Sequence, residues 1–452
     1  MTSRQSPLPA SGPLRRRQLL KLGALGLAAP AAGPLLAACG DDAGAGADGP
    51  VTFEGWDYEP NLVQQNIDRF TSLNPDIEVN YTPITSAQYV QKIIAEFTAN
   101  NGPDALYVYD DTLAGWVEAG YLEPIDGLPG VDELYAAIYE SNAATMSYQG
   151  KRYGLPYYTD CQGLTYNAAI LSEAGIDAPP TTLDEWAEQA VRIKDAGLLE
   201  YPIGFYAQRT DTWWAWIWAL VFASGGDLFD DQGNPTMTSD PTLRNVLAWL
   251  HRAANDTQVI DPASLQTNQA AIDPAIMEAS YAYTIAARYS MSIYNNPEES
   301  SAAGDLAMGL VPTLDGTTEG TVSHTRMYCL SSQTAVKDKA FQLMSYLGGL
   351  DENGEPYTAK FWFLERGLGF AFTELGDDPE VIAELTKFID PGVYAQLAGS
   401  ARARNLLTVP WYYEFEGELQ SVVQEILTDQ TTPEDAVARL EQAAGTLAEK
   451  YA

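Results

Sequence analysis

VTFEGW at residues 51–56, LVQQNIDRFTSLN at 62–74, IEVNY at 77–81, AQYVQKIIAEF at 87–97 and ALYVYDD at 105–111 follow one another as strand, helix, strand, helix, strand, and that order decides the fold. Val63, Ile67 and Phe70 share one face of the first helical segment; Val90, Ile93, Ile94 and Phe97 mark the second, which Ser86 precedes. Gly102-Pro103-Asp104 breaks that helix, and the next strand is short, almost continuously apolar, and ends in Asp110-Asp111. Strands alternating with amphipathic helices imply an α/β architecture with helices packed on a sheet. No Gly-rich phosphate loop joins the first strand to its helix, which argues against a dinucleotide-binding fold.

Upstream of this stretch lies an address. Arg15-Arg16-Arg17 precedes Gln18-Leu19-Leu20-Lys21, then an Ala- and Leu-rich run that ends at Leu36-Ala37-Ala38-Cys39. A positive head, an apolar middle and small residues before a cleavage point make an export signal, expected over residues 1–38 and excluded from the fold. The arginine pair resembles a twin-arginine signal, and Leu-Ala-Ala-Cys resembles a lipobox, so Cys39 is the expected acylated N-terminus. Residues 39–50 are a Gly/Ala/Asp-rich flexible linker. The apolar run 23–38 is short for a bilayer span and carries Pro30 and Pro34. The expected location is therefore the outer face of the cell membrane, held by lipid.

Composition narrows the function further. The formal net charge of -36 becomes -41 once residues 1–38 go, because they contain five basic residues and no acid. Such a surface repels nucleic acid. Hydrophobic content of 46% and aromatic content of 11% exclude a disordered acidic polymer. The length exceeds what one core organises well, so two lobes are expected. His251 and His324 are the only histidines, which excludes a multi-histidine metal site. No cofactor is implied.

Longer segments carry a resemblance. Residues 51–56, 74–79 (NPDIEV), 102–104, 113–124 (LAGWVEAGYLEP), 155–156, 164–167 (LTYN), 180–186 (PTTLDEW), 225–233, 340–347 and 432–436, in that order and spacing, resemble the family 1 extracellular solute-binding proteins, the group that includes maltose-binding proteins. Thr182 with Glu185 makes a capping box within this pattern, and Pro433 stands at a helix start. The resemblance implies a periplasmic-binding-protein-like fold: two α/β lobes joined by hinge strands, with a ligand cleft between them. It places the N-terminal lobe at 51–159 and 329–375 and the C-terminal lobe at 160–328 and 376–452. Cys161 and Cys329 then fall in crossing strands, where they are expected to form a disulfide if the strands bring them together.

The implied function is capture of a di- or oligosaccharide by lobe closure, without catalysis, for delivery to the transmembrane subunits of an ABC importer by a monomeric lipoprotein. A sugar presents apolar C–H faces and a rim of hydroxyls, so aromatic rings and hydrogen-bonding side chains are the groups to look for. Trp56 and Asp57 follow the first strand, and Asp110 and Asp111 follow the third, at the crevice end of an open sheet. Asp160 resembles a hinge-side carboxylate of the family, and Arg326 stands beside the second crossover. Trp213 and Trp214, in the run DTWWAWIW, and Tyr281, Tyr283, Trp411 and Tyr412 are the candidate aromatic platforms. Read as a helix, that run puts Trp214 and Trp218 on one face. Alternatives are a cationic solute such as an amino sugar, a sensory lipoprotein, and, least supported, a glycan-active enzyme or a Cys161–His324 thiol–imidazole pair.

Overall fold

The structure, a computed structural model, describes residues 49–209, 214–230, 232–351 and 353–451. The export signal, Cys39 and Trp213 lie outside the described residues. Among those described, no helix is long and apolar enough to cross a membrane.

The opening stretch folds in the order its pattern implies: β1 (Val51–Trp56), α1 (Pro60–Leu73), β2 (Val79–Ile84), α2 (Ser86–Thr98) and β3 (Ala105–Tyr109). β1 lies between β2 and β3 and pairs parallel with both, Val51 opposite Val79 and Phe53 opposite Ala105. α1 begins two residues before its expected start because Pro60 serves the first turn, where a missing N–H costs nothing. Its face of Val63, Ile67 and Phe70 is buried. α2 buries Val90, Ile93 and Phe97 but leaves Ile94 exposed. β2 runs later than expected because its register against β1 pairs Trp56 with Ile84.

Two long strands organise the remainder: β4 (Gly154–Asn167) and, after β5 (Tyr283–Ala287) and β6 (Leu306–Gly309), β7 (Thr321–Ser331). β7 runs antiparallel to β3, with Arg326 opposite Tyr109 and Leu330 opposite Ala105. Its other edge pairs with the first half of β4, from Cys329–Gly154 to Ser323–Cys161, with an irregularity between Arg326 and Met327. Past Cys161, β4 changes partners: Gln162 pairs with Ala287 of β5, and Leu164 with Gly309 of β6. One strand thus serves two packing environments, the β1–β3 sheet at one end and the β5–β6 strands at the other. The chain accordingly folds as two α/β lobes joined through shared strands.

Helices cover both lobes. α3 (Leu183–Asp195) starts at the expected reciprocal box, Thr182 receiving the Glu185 N–H and Glu185 receiving the Thr182 N–H. α4 (Ala215–Ala223) has all nine residues buried. From Trp214 onward the tryptophan-rich run therefore builds core: Trp216 stacks 4.5 Å from Phe205, and Trp214, itself buried, precedes the helix as its N-cap. α5 (Gln269–Met277) precedes β5, while α6 (Lys337–Gly348), α7 (Tyr412–Leu427) and α8 (Pro433–Tyr451) follow β7; α8 begins at the expected proline.

The expected disulfide is corrected by register. Cys161 and Cys329 are both free and buried. They occupy neighbouring strands, but Cys329 faces Gly154, and Cys161 lies seven residues further along β4. Seven residues of strand span roughly 20 Å, whereas a disulfide needs Cα atoms within about 7 Å. A thiol–imidazole pair is no better supported: burial pushes the Cys161 thiol up to about 12 and drives His324 well below its ordinary value.

Candidate ligand cleft

At the carboxyl ends of β1 and β3, side chains from these strands meet others from shared strand β7 and from the segment before α7. Trp56 is buried, its ring stacked 4.5 Å from Tyr109 at 13°. The Arg326 guanidinium lies 4.7 Å from the centre of the same Tyr109 ring. Arg326 also donates to Asp110 at 2.7 Å. Asp57 is exposed and serves as a brace, accepting from the Ser86 N–H and hydroxyl at 3.0 and 2.9 Å and so tying the loop after β1 to the start of α2.

Asp110 is sealed and fully used. Its carboxylate accepts from Arg326, from Arg404 at 3.0 Å and from the Thr325 N–H at 2.8 Å. Arg404 continues the network: it donates to the Tyr412 hydroxyl at 2.5 Å, and Tyr412 donates to Glu416 at 2.8 Å. Glu416 also receives the Trp214 N–H at 3.0 Å and the Trp218 indole N–H at 3.2 Å. Tyr412 and Trp214 therefore act as supports behind the cleft wall. Asp111 is half-buried, 3.6 Å from Arg404; burial holds its carboxyl above the usual range, partly offset by that guanidinium. Asp160 is equally engaged, accepting from Arg288 and the Cys161 N–H at 2.7 Å each and from the Tyr289 N–H at 3.1 Å. His324, buried near Arg326, Arg404 and Arg288, stays neutral because burial and these cations both disfavour its protonation.

The remaining aromatic candidates are all buried. Tyr283 is completely buried, its hydroxyl bound to Gln189 at 2.5 Å and its ring edge-on to Trp186, so it belongs to the second lobe's core. Tyr281 is buried and bonded to Asp261 at 2.7 Å. Trp411 is also buried, packed 5.9 Å from Phe229.

Sequence reasoning missed the residue of this segment that is half-buried at the crevice, Tyr289, two positions past β5. Its ring stands edge-on to Tyr158 of β4 at 6.1 Å. Tyr58, from the loop after β1, lies 6.3 Å from Trp362, and Asp273, from α5, accepts the Tyr294 hydroxyl at 2.5 Å. Tyr58, Tyr158, Asp273 and Tyr289 are all half-buried. The rule that places ligands beyond the carboxyl ends of strands applies to Tyr289 as it did to Asp110 and was available in the sequence. No local pattern marks Asp273 or Arg404. Among the described residues, no group of three or more His, Cys, Asp or Glu side chains is arranged to hold a metal ion.

Two lobes sharing strands, with tyrosines and carboxylates meeting between them, define a binding protein of the cleft type. The chain belongs to the bacterial extracellular solute-binding proteins, whose family model matches residues 56–352, and it is accordingly a binding protein and not an enzyme. The fold is similar to that of MalE3 of T. maritima, solved with maltose bound (TM-score 0.76, 19% identity, 88% of this chain and 99% of that one). It is likewise similar to the GacH receptor of Streptomyces glaucescens, solved unliganded and with acarbose (TM-score 0.77, 18% identity, 90% of this chain and 100% of that one). A binding protein of Brucella abortus is 22% identical over 278 residues, 62% of this chain. The chain spans only 66% of that relative's length.

Proposed function

We propose that this protein is the extracytoplasmic substrate-binding lipoprotein of an ABC importer, which captures a di- or oligosaccharide between its lobes and delivers it to the transmembrane subunits. The observation that carries this reading is the set of rings at the strand ends: Tyr109 stacked on Trp56 in the first lobe, and Tyr158 of a shared strand edge-on to Tyr289, whose N–H is bound by Asp160. Aromatic surface suits the C–H faces of a sugar, and the carboxylates Asp111 and Asp273 suit its hydroxyls. The maltose and acarbose held by the two structural relatives favour the same class.

In this reading the lobes divide where β4 and β7 change sheets, near residues 161 and 325, close to the sequence-based division at 159 and 329. A third crossing near 375 completes the hinge. Cys39, acylated after removal of residues 1–38, ties a monomeric folded body to the membrane through the linker at 39–50. Titration calorimetry with maltose, maltotriose and N,N′-diacetylchitobiose, paired with small-angle scattering, tests the proposal. One-to-one binding with a decrease in radius of gyration is expected. Unchanged dimensions with a ligand confirmed as bound would sink the closure mechanism, and failure of every carbohydrate to bind would sink the substrate class.

A further inference from the structure

The segment around Arg404 is anchored in the second lobe on both sides. Before it, Arg402 donates to Asp227 at 2.9 Å. After it, Asn405 donates to the Phe229 carbonyl at 3.1 Å, and the Trp411 ring packs 5.9 Å from that of Phe229. The Arg404 side chain is fully buried, and its Nη1 donates at 2.5 Å to Tyr412, which is tied in turn to Glu416 of α7. Yet the same guanidinium reaches the first lobe. Nη2 donates to Asp110 at 3.0 Å, and Nη1 lies 3.6 Å from Asp111, the two acids that follow β3.

A second contact joins the same two segments without charge. The short helix Leu113–Glu118 follows Asp111 in the first lobe, and a Cβ on its Gly115 would stand 3.4 Å from the Pro410 carbonyl oxygen. That is ordinary van der Waals distance, so a methyl group fits there and a large side chain meets the carbonyl. Residues 404–410 thus belong to the second lobe by their bonds and lie against the first lobe at Asp110, Asp111 and Gly115.

We propose that this segment is a latch between the lobes, made of the protein's own residues, which holds a fraction of the molecules closed without any solute. The inference rests on the hinge closure read above and not on the identity of the solute. Opening changes a few hinge dihedrals and carries the segment away from Asp111 and Gly115 as part of a rigid lobe. The latch is weak by construction. A buried ion pair gains little over its solvated partners, and Asp110 keeps Arg326 and the Thr325 N–H when Arg404 leaves. The solute's own preference for the closed form therefore still decides the final state. Molecules that are latched shut are not competent to admit solute, so the latch lowers the apparent affinity in proportion to the fraction it holds.

The test is a distance distribution from electron–electron double resonance on the intact folded protein, freed of small molecules by partial denaturation and dialysis. Spin labels go on cysteines placed at Ala119 in the first lobe and Gln232 in the second, both exposed, while Cys161 and Cys329 are buried. The parent should show a shorter population that matches the separation in the structure beside a longer one. Arg404→Met should cut the shorter population at least about threefold. Gly115→Trp, at a half-buried position away from the charges, should do the same, and it keeps the test open if Arg404→Met folds poorly. Gly115→Ala, whose methyl fits, should leave the distribution unchanged. A parent that shows only the longer distance would overturn the latch, as would a shorter population that survives both Arg404→Met and Gly115→Trp. A fall in Gly115→Ala equal to that in Gly115→Trp would overturn the contact with Pro410. None of these results uses a solute, so failure of every sugar in the calorimetry above would strike the substrate class and leave the latch standing.

Discussion

Arg404 donates to Asp110 at 3.0 Å across 294 positions of sequence, joining the end of β3 to the segment that leads into α7. Both side chains are fully buried, and Arg326 shares the same carboxylate oxygen. One aspartate therefore serves two buried guanidiniums, with Asp111, 3.6 Å from Arg404, supplying a second negative charge. This makes Asp110 a structural keystone behind the cleft, in contrast to the ligand contact its position in the sequence implies.

Asp110→Asn should consequently be among the most damaging single changes in the protein. It takes the counter-charge from buried Arg326 and leaves Arg404 with Asp111 at 3.6 Å, and breaking a buried pair in this way costs about 3–5 kcal/mol. Arg404→Met should cost less, because Asp110 keeps Arg326 and the Thr325 N–H. Urea midpoints of the two variants check the order; equal losses would contradict the shared-carboxylate account.

Tyr289 and Tyr283 should separate binding from stability. Tyr289→Ala is expected to weaken ligand binding by about 1–3 kcal/mol, the usual loss for an aromatic anchor at an interface. Tyr283→Phe removes a core hydrogen bond to Gln189. It should lower unfolding free energy by about 1 kcal/mol and leave affinity unchanged. Calorimetric affinities and denaturation curves on the same samples decide the matter.

The pH dependence follows from Asp273. Its folded carboxyl is raised by burial to about 6, above the ordinary value of 3.8. Between those values the folded state holds a proton that the unfolded state has released, so stability falls as pH rises through that window. Asp111, also raised by burial, contributes in the same direction. Asp273→Asn should therefore flatten the decline and raise the thermal midpoint of the ligand-free protein at neutral pH. A variant midpoint lower than the parent's at neutral pH would contradict this account.

The thiols give the simplest check. Cys161 and Cys329 should resist a thiol reagent in the native protein and react fully after unfolding without reductant. Their buried thiols are raised well above the range where thiolate forms. A mass difference of two protons between reduced and untreated protein would show a bridge that the strand register forbids.

The sequence alone determined what depends on short range. Alternating apolar patterns placed the opening strands and helices, Thr182 with Glu185 and Pro433 marked helix starts, and the ordered segments identified a two-lobed binding protein. These features depend on residues within a few turns of one another, where spacing alone sets which side chains meet. Tertiary structure decided which charges and rings are available. Asp110 and Asp160 look alike to Asp273 in composition, but arginines 294 and 128 positions away occupy the first two. A carboxylate entering a low-dielectric interior takes whatever counter-charge the chain brings to it, and that depends on packing between distant segments. Register acted in the same way on the cysteines: it put them on adjacent strands, yet seven residues out of step.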